Sequence, residues 1–168
     1  MATVLVSLEE YLNTDYEPDC DYVDGVVEER NVGKKRHART QSRLAGWLIA
    51  REQQHGYHML VEQRVKVAGT RVRVPDICLV EASDRDEVIQ MPPLLCVEVL
   101  SPEDRWKRVE VRINDYLAFG VPTVWIIDPY SSRAWIATSA GAAEVNDSVL
   151  RCANLNLEIA LADILPEE

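Results

Sequence analysis

Two apolar runs in this chain each carry one carboxylate where a buried strand would ordinarily carry a hydrocarbon. The first is Val74-Pro75-Asp76-Ile77-Cys78-Leu79-Val80, and the second is Leu94-Leu95-Cys96-Val97-Glu98-Val99-Leu100, which leads into Ser101-Pro102-Glu103-Asp104. A carboxylate amid apolar neighbours is costly to bury unless it is paired or binds a metal. Two of them on strands expected to be neighbours therefore constrain the fold and point at a divalent-cation site. The competing explanation is that each acid caps, pairs or meets solvent at a strand end.

Composition limits what can surround that pair. The chain has 168 residues, enough for one domain with a normal core, and is read as a single domain over residues 1–168. Its net charge of −10 argues against a surface that grips nucleic acid everywhere, so any such reading needs a local basic patch. No apolar run approaches the roughly 20 residues of a membrane span. The start, Met1-Ala2-Thr3-Val4-Leu5-Val6, is a poor signal peptide, and a cytoplasmic location is expected. Cys20, Cys78, Cys96 and Cys152 are widely spaced, without a C-x-x-C pair, and read as reduced, mostly buried fillers.

The element order follows from local signals. Ser7 with Glu10 forms a capping-box pattern ahead of a short helix, and Asp24-Gly25 turns a hairpin over residues 21–29. A helix is expected from about Lys35 to Gln54, stopped by Gly56. Strands follow over Tyr57–Val67 and Arg71–Val80, with Pro75 marking a bulge or an edge. After the Leu94–Leu100 strand, Ser101 is expected to cap a helix that has Pro102 in its first position and ends near Gly120. A strand over Thr123–Asp128, parallel to Leu94–Leu100, then pairs with Arg133–Thr138. A further strand over 150–157 and a short helix over 160–165 complete an α/β (α+β) chain with a central mixed sheet.

Helical spacing places the basic residues. In the long helix Leu44, Ala45, Leu48 and Ile49 form the apolar face, with Arg36, Arg39, Arg43 and Arg51 roughly opposite, either as a phosphate-contacting stripe or a solvated face. His37 falls near the edge of the apolar face. In the later helix Trp106, Val109, Ile113, Tyr116 and Leu117 share the buried face, bordered by Arg105, Arg108 and Arg112. Arg112 can lay its stem on the core and aim its guanidinium at Glu98 or at a bound phosphate. Magnesium needs few protein ligands because it keeps its waters, so Asp76, Glu98 and the Val99 carbonyl form a sufficient oxygen set.

Taken in order, Asp21-Tyr22-Val23-Asp24-Gly25, His37, Val74-Pro75-Asp76, Glu98-Val99-Leu100-Ser101-Pro102, Tyr116 with Gly120-Val121, and Trp125-Ile126-Ile127-Asp128-Pro129 resemble the Uma-type restriction endonucleases of the PD-(D/E)XK superfamily. The resemblance spans nearly the whole chain. It implies a restriction-endonuclease-like fold with a central mixed β-sheet flanked by helices, often as a homodimer, and a Mg2+- or Mn2+-dependent hydrolase acting on DNA phosphodiesters. It assigns Asp76 and Glu98 to the metal, makes Asp21 a candidate third acid, and turns His37 toward the site.

The departures are specific. In the family the lysine expected two residues after the glutamate has moved to the following helix; position 100 here is accordingly Leu100, but the position matching the migrated lysine holds Arg112. Arg108 stands where the family often has aspartate. Arginine stabilises phosphate charge but does not serve as a general base. The resulting expectation is a DNA endonuclease with Asp76, Glu98, Arg112 and His37 catalytic, Asp76, Glu98, Val99 and Asp21 on the metal, and Arg108, Arg112 and Arg36 on substrate. The alternatives are a weak or inactive member that binds nucleic acid or protein, and a small-molecule phosphoesterase.

Overall fold

The structure is a computed structural model that describes residues 4–167. In chain order the elements are α1 (Leu8–Leu12), β1 (Asp21–Val23), β2 (Val26–Glu28), α2 (Lys35–Ile49), α3 (Glu52–His55), β3 (Tyr57–Val61), β4 (Val65–Ala68), β5 (Arg71–Arg73), β6 (Ile77–Glu81) and β7 (Leu95–Val99). They continue as α4 (Trp106–Phe119), β8 (Val124–Asp128), β9 (Arg133–Thr138), β10 (Gly141–Glu144), β11 (Val149–Cys152), β12 (Leu157–Ala160) and α5 (Leu161–Ile164). No described helix is long and apolar enough to cross a membrane.

A six-stranded mixed sheet, ordered β10-β9-β8-β7-β6-β3, is the centre of the molecule. Its parallel pair is β7 with β8, Val97 opposite Trp125, joined through α4 as the two apolar runs predict. Alternation along the strands sorts residues to two cores. Ile77, Leu79, Leu95, Val97, Val99, Trp125 and Ile127 face Leu44 and Leu48 of α2 and Ile164 of α5. Cys78, Val80, Cys96, Leu100, Val124 and Ile126 face Val109, Ile113 and Tyr116 of α4. All four cysteines are buried and free.

A second sheet, β2-β1-β5-β4, is antiparallel and packs Tyr22 and Val72 on Tyr11 of α1. Its first hairpin turns at Asp24-Gly25 with both residues at positive φ (50° and 92°), as an Asp-Gly turn requires. This second sheet corrects the expectation of one long strand on either side of Gly69. The first segment breaks at Glu62 (φ 49°) into β3 and β4, and the second breaks at Val74–Asp76 into β5 and β6. Each segment thus serves both sheets, and in the second the break falls at Pro75, which lacks the N–H that an unbroken ladder needs.

Other boundaries also shift. The long helix ends at Ile49, and a separate turn, Glu52–His55, reaches the left-handed Gly56. Ile49 is 54% exposed, so the buried face runs instead through His37, Thr40, Leu44 and Leu48. Ser101 does not cap α4, which begins at Trp106 after an uncapped Arg105. Residues 101–104 form a turn of their own, in which the Ser101 N–H and hydroxyl both donate to Asp104 Oδ2 (2.8 and 2.9 Å). Trp106 is 44% exposed and lies against Trp135 rather than in the core. The expected strand over 150–157 is a hairpin, β11–β12, bent at the left-handed Asn156.

The second sheet is tied to α4 by Arg73, which is 2% exposed. Its guanidinium donates to Asp115 Oδ2 from Nε (2.8 Å) and to Asp21 Oδ2 from Nη1 (2.9 Å), while Asp21 Oδ1 accepts the Val74 N–H (2.9 Å). Removing one member of such a buried pair strands the other's charge. Arg73→Met is therefore expected to destabilise the fold by about 3–5 kcal/mol in urea unfolding, against near-neutrality for an exposed pair such as Arg151 with Asp147.

Candidate functional site

Strand register brings the two distinctive acids together. β6 and β7 are antiparallel with Ile77 opposite Val97 and Cys78 opposite Cys96. Carried one step further, that register sets Asp76 beside Glu98, and opposed residues share a sheet face. Both therefore point to the α4 side, at the carboxyl end of β7, where they line a cavity of about 10 Å³ with Arg30, His37, Val99, Ser101, Asp104 and Arg112. Asp76 and Glu98 are 3% and 2% exposed.

Each acid has its own set of partners. Asp76 Oδ2 accepts the Val99 N–H at 2.7 Å and faces His37 Nε2 at 3.4 Å. Asp76 Oδ1 accepts from Arg30 Nη2 at 2.7 Å, and the Asp76 carbonyl accepts from Gln41 Nε2 at 3.1 Å. Glu98 Oε1 accepts from the Tyr116 hydroxyl at 2.6 Å. Arg112 Nη2 lies between Glu98 Oε2 (3.3 Å) and Asp104 Oδ1 (3.5 Å), and its buried Nε has no hydrogen-bond partner among the described residues.

The partners drive the two acids apart electrostatically. Burial pushes the Glu98 carboxyl up to about 7, with Arg112 pulling it down and the Asp76 charge adding to the rise. Burial acts on Asp76 in the same direction, but His37, Arg30 and the Val99 N–H outweigh it and hold its carboxyl below the ordinary range. Burial would depress His37, and its contact with Asp76 raises it instead. The site thus holds one firmly ionised carboxylate and one that resists ionisation.

Against the sequence expectations, His37 does lie at the site, on the first turn of α2, under a loop that only Gly33 allows to pass this close to the imidazole. Val99 lines the cavity and donates its N–H to Asp76. Asp21 sits apart from the cavity, spent on Arg73 and the Val74 N–H. Arg108 is exposed and lines an adjoining groove of about 260 Å³, together with Asp21, Glu28, Arg30, Lys107 and Arg112. Arg36 is exposed and lines neither space.

Sequence reasoning missed Arg30, Asn31 and Asp104. Asp104 carries a signal, an acid three residues past Ser101, but the same pattern suits the first turn of a helix capped by Ser101. Arg30 carried none, since nothing in a residue just past a hairpin indicates that it turns inward.

The raised Glu98 group sets the pH behaviour of the cation-free protein. A carboxyl with a folded pKa above its ordinary 4.5 contributes stability fully below 4.5, and loses it as pH rises through about 7. Glu98→Gln cannot ionise. Its melting temperature relative to wild type should therefore climb between pH 4.5 and 7 in EDTA; a difference independent of pH would contradict the assignment.

A family model described as "Putative restriction endonuclease", Uma2, matches residues 8–165. The crystal structure of a "putative nuclease" of the DUF820 group from Anabaena variabilis ATCC 29413 superposes with a TM-score of 0.85 at 19% identity, covering 95% of this chain and 97% of that one. At that identity the likeness speaks for the fold, a mixed sheet flanked by helices. No curated protein matches the sequence. A match spanning almost the whole chain is decisive for membership: this protein belongs to the Uma2 family of restriction-endonuclease-like proteins.

Proposed function

We propose that this protein is a divalent-cation-dependent endonuclease that hydrolyses DNA phosphodiester bonds. The observation that carries the reading is the opposed pair Asp76 and Glu98, buried side by side in one cavity beneath a guanidinium with an unused donor. The donor chemistry fits Mg2+ or Mn2+, since two carboxylates are hard oxygen ligands and such ions keep several waters. The two acids and the Val99 carbonyl would be the protein's share of the ligands. A bound cation would neutralise phosphate charge and acidify a water.

The chain's own side chains divide the remaining work. Arg112 is held by Glu98 and Asp104 through long contacts only, which leaves Nε free to donate to a phosphate oxygen and to stabilise added charge at phosphorus. Tyr116 fixes one Glu98 oxygen and leaves the other toward the cavity. His37 and the Val99 N–H fix the rotamer of Asp76. The adjoining groove offers Arg108, Lys107 and Arg112 to a nucleic-acid backbone, the local basic patch that an acidic chain needs.

A second reading has one observation behind it. Arg112 occupies the place of the family's lysine, and an arginine there supports binding of a phosphate better than proton transfer. This favours a weak or inactive member that binds nucleic acid.

Cleavage of supercoiled and linear DNA in Mg2+ or Mn2+ decides between them. Wild type should nick or linearise DNA, with Asp76→Ala and Glu98→Gln each lowering the rate by about 100-fold or more. Arg112→Ala should lose a similar factor, and Arg112→Lys should retain or gain activity. Equal cleavage by wild type and Asp76→Ala, or none by either, contradicts the nuclease reading.

A further inference from the structure

Arg30 stands where a cation would need to be. It lies two residues past the end of β2, and its side chain is only 13% exposed. Of the two Asp76 oxygens, Oδ2 is engaged by the Val99 N–H and faces His37, so Oδ1 is the oxygen free to meet a metal; the Arg30 guanidinium covers it at 2.7 Å. The cavity beside it, about 10 Å³, is room for roughly one water-sized sphere. A magnesium-type ion with its retained waters needs more. Arg30 also lines the 260 Å³ groove next door, alongside Arg108 and Arg112, so it has open space to turn into. The segment that carries it, residues 29–34, has no regular secondary structure and is held to the turn before α4 by Asn31 with Asp104 and Lys34 with Glu103.

We propose that Arg30 is a built-in counter-ion of Asp76, which yields Oδ1 when a divalent cation binds and turns into the adjoining groove to take a substrate phosphate beside Arg112. The inference rests on the cation-site reading above. Its physical basis is competition for the same lone pairs. Without a cation, a buried carboxylate beside a second acid needs a positive partner, and Arg30 supplies it. With a cation present, Arg30 would be a like charge at contact distance and leaves. The apparent cation affinity is then reduced by the small fraction of molecules in which Arg30 is already away. A phosphate in the groove stabilises the turned-out guanidinium, so cation and DNA should favour each other's binding.

Calorimetric titration of Mn2+ into the DNA-free protein tests this without recourse to activity. Arg30→Met should bind Mn2+ about 10-fold more tightly than wild type, and Arg30→Lys, which keeps the charge but not the reach, should fall between them. In wild type, the Arg30 guanidinium NMR signals should shift when Mg2+ is added, a readout that needs no variant to fold. With a short labelled DNA duplex in Ca2+, Arg30→Met should bind more weakly than wild type, and the two should match in EDTA. Mn2+ bound by wild type with the same affinity in Arg30→Met, unmoved Arg30 signals in Mg2+, or equal DNA affinity of the two proteins in Ca2+ would overturn the role of Arg30 alone. Absence of Mn2+ binding by every protein would instead remove the cation site itself.

Discussion

Everything distinctive in this molecule follows from two carboxylates buried next to each other at the end of one strand pair. Like charges in a low-dielectric place repel strongly, and desolvation penalises each separately. The fold answers with two guanidiniums, an imidazole and a hydroxyl drawn from three places: Arg30 from the segment after the first hairpin, His37 from α2, and Arg112 and Tyr116 from α4. These contacts span both faces of the central sheet and the second sheet's hairpin. The site is thus also a junction of the architecture.

The balance between the acids carries the functional argument. Asp76 gathers most of the positive compensation and stays ionised, while Glu98 has the neutral Tyr116 hydroxyl and a single 3.3 Å contact from Arg112 and is pushed toward its neutral form. A carboxyl pushed up to about 7 is a poor use of a buried position for stability at neutral pH. On the proposed cation-dependent reading it would become useful, because a divalent cation would hold both acids as carboxylates. The unpartnered Nε of Arg112 has the same character, an uncompensated donor kept where a phosphate oxygen could accept from it.

Much of this was legible in the sequence because period-two alternation is strict. Once residues 74–80 and 94–100 are read as paired strands, the face shared by Asp76, Cys78, Cys96 and Glu98 follows, and so does their meeting with the Arg112 side of α4. What failed was punctuation. Pro75 was a visible break, but it passes the chain from one sheet to the other rather than bulging a single strand, and that depends on tertiary pairing. Glu62 at positive φ has no sequence signature. Ser101 looked like a helix cap because Ser-Pro-Glu-Asp is a cap sequence, yet Asp104 turns back on Ser101 and keeps its other oxygen toward Arg112. Asp21 resembled a third ligand by position; Arg73, whose burial no local pattern announces, takes its carboxylate instead.

Diffraction from Mn2+-soaked crystals at the manganese absorption edge addresses the central claim most directly. The account predicts one anomalous peak at about 2.0–2.3 Å from oxygens of both Asp76 and Glu98. Manganese found only elsewhere on the protein, with Arg30 still on Asp76 and Tyr116 and Arg112 still on Glu98, would contradict it.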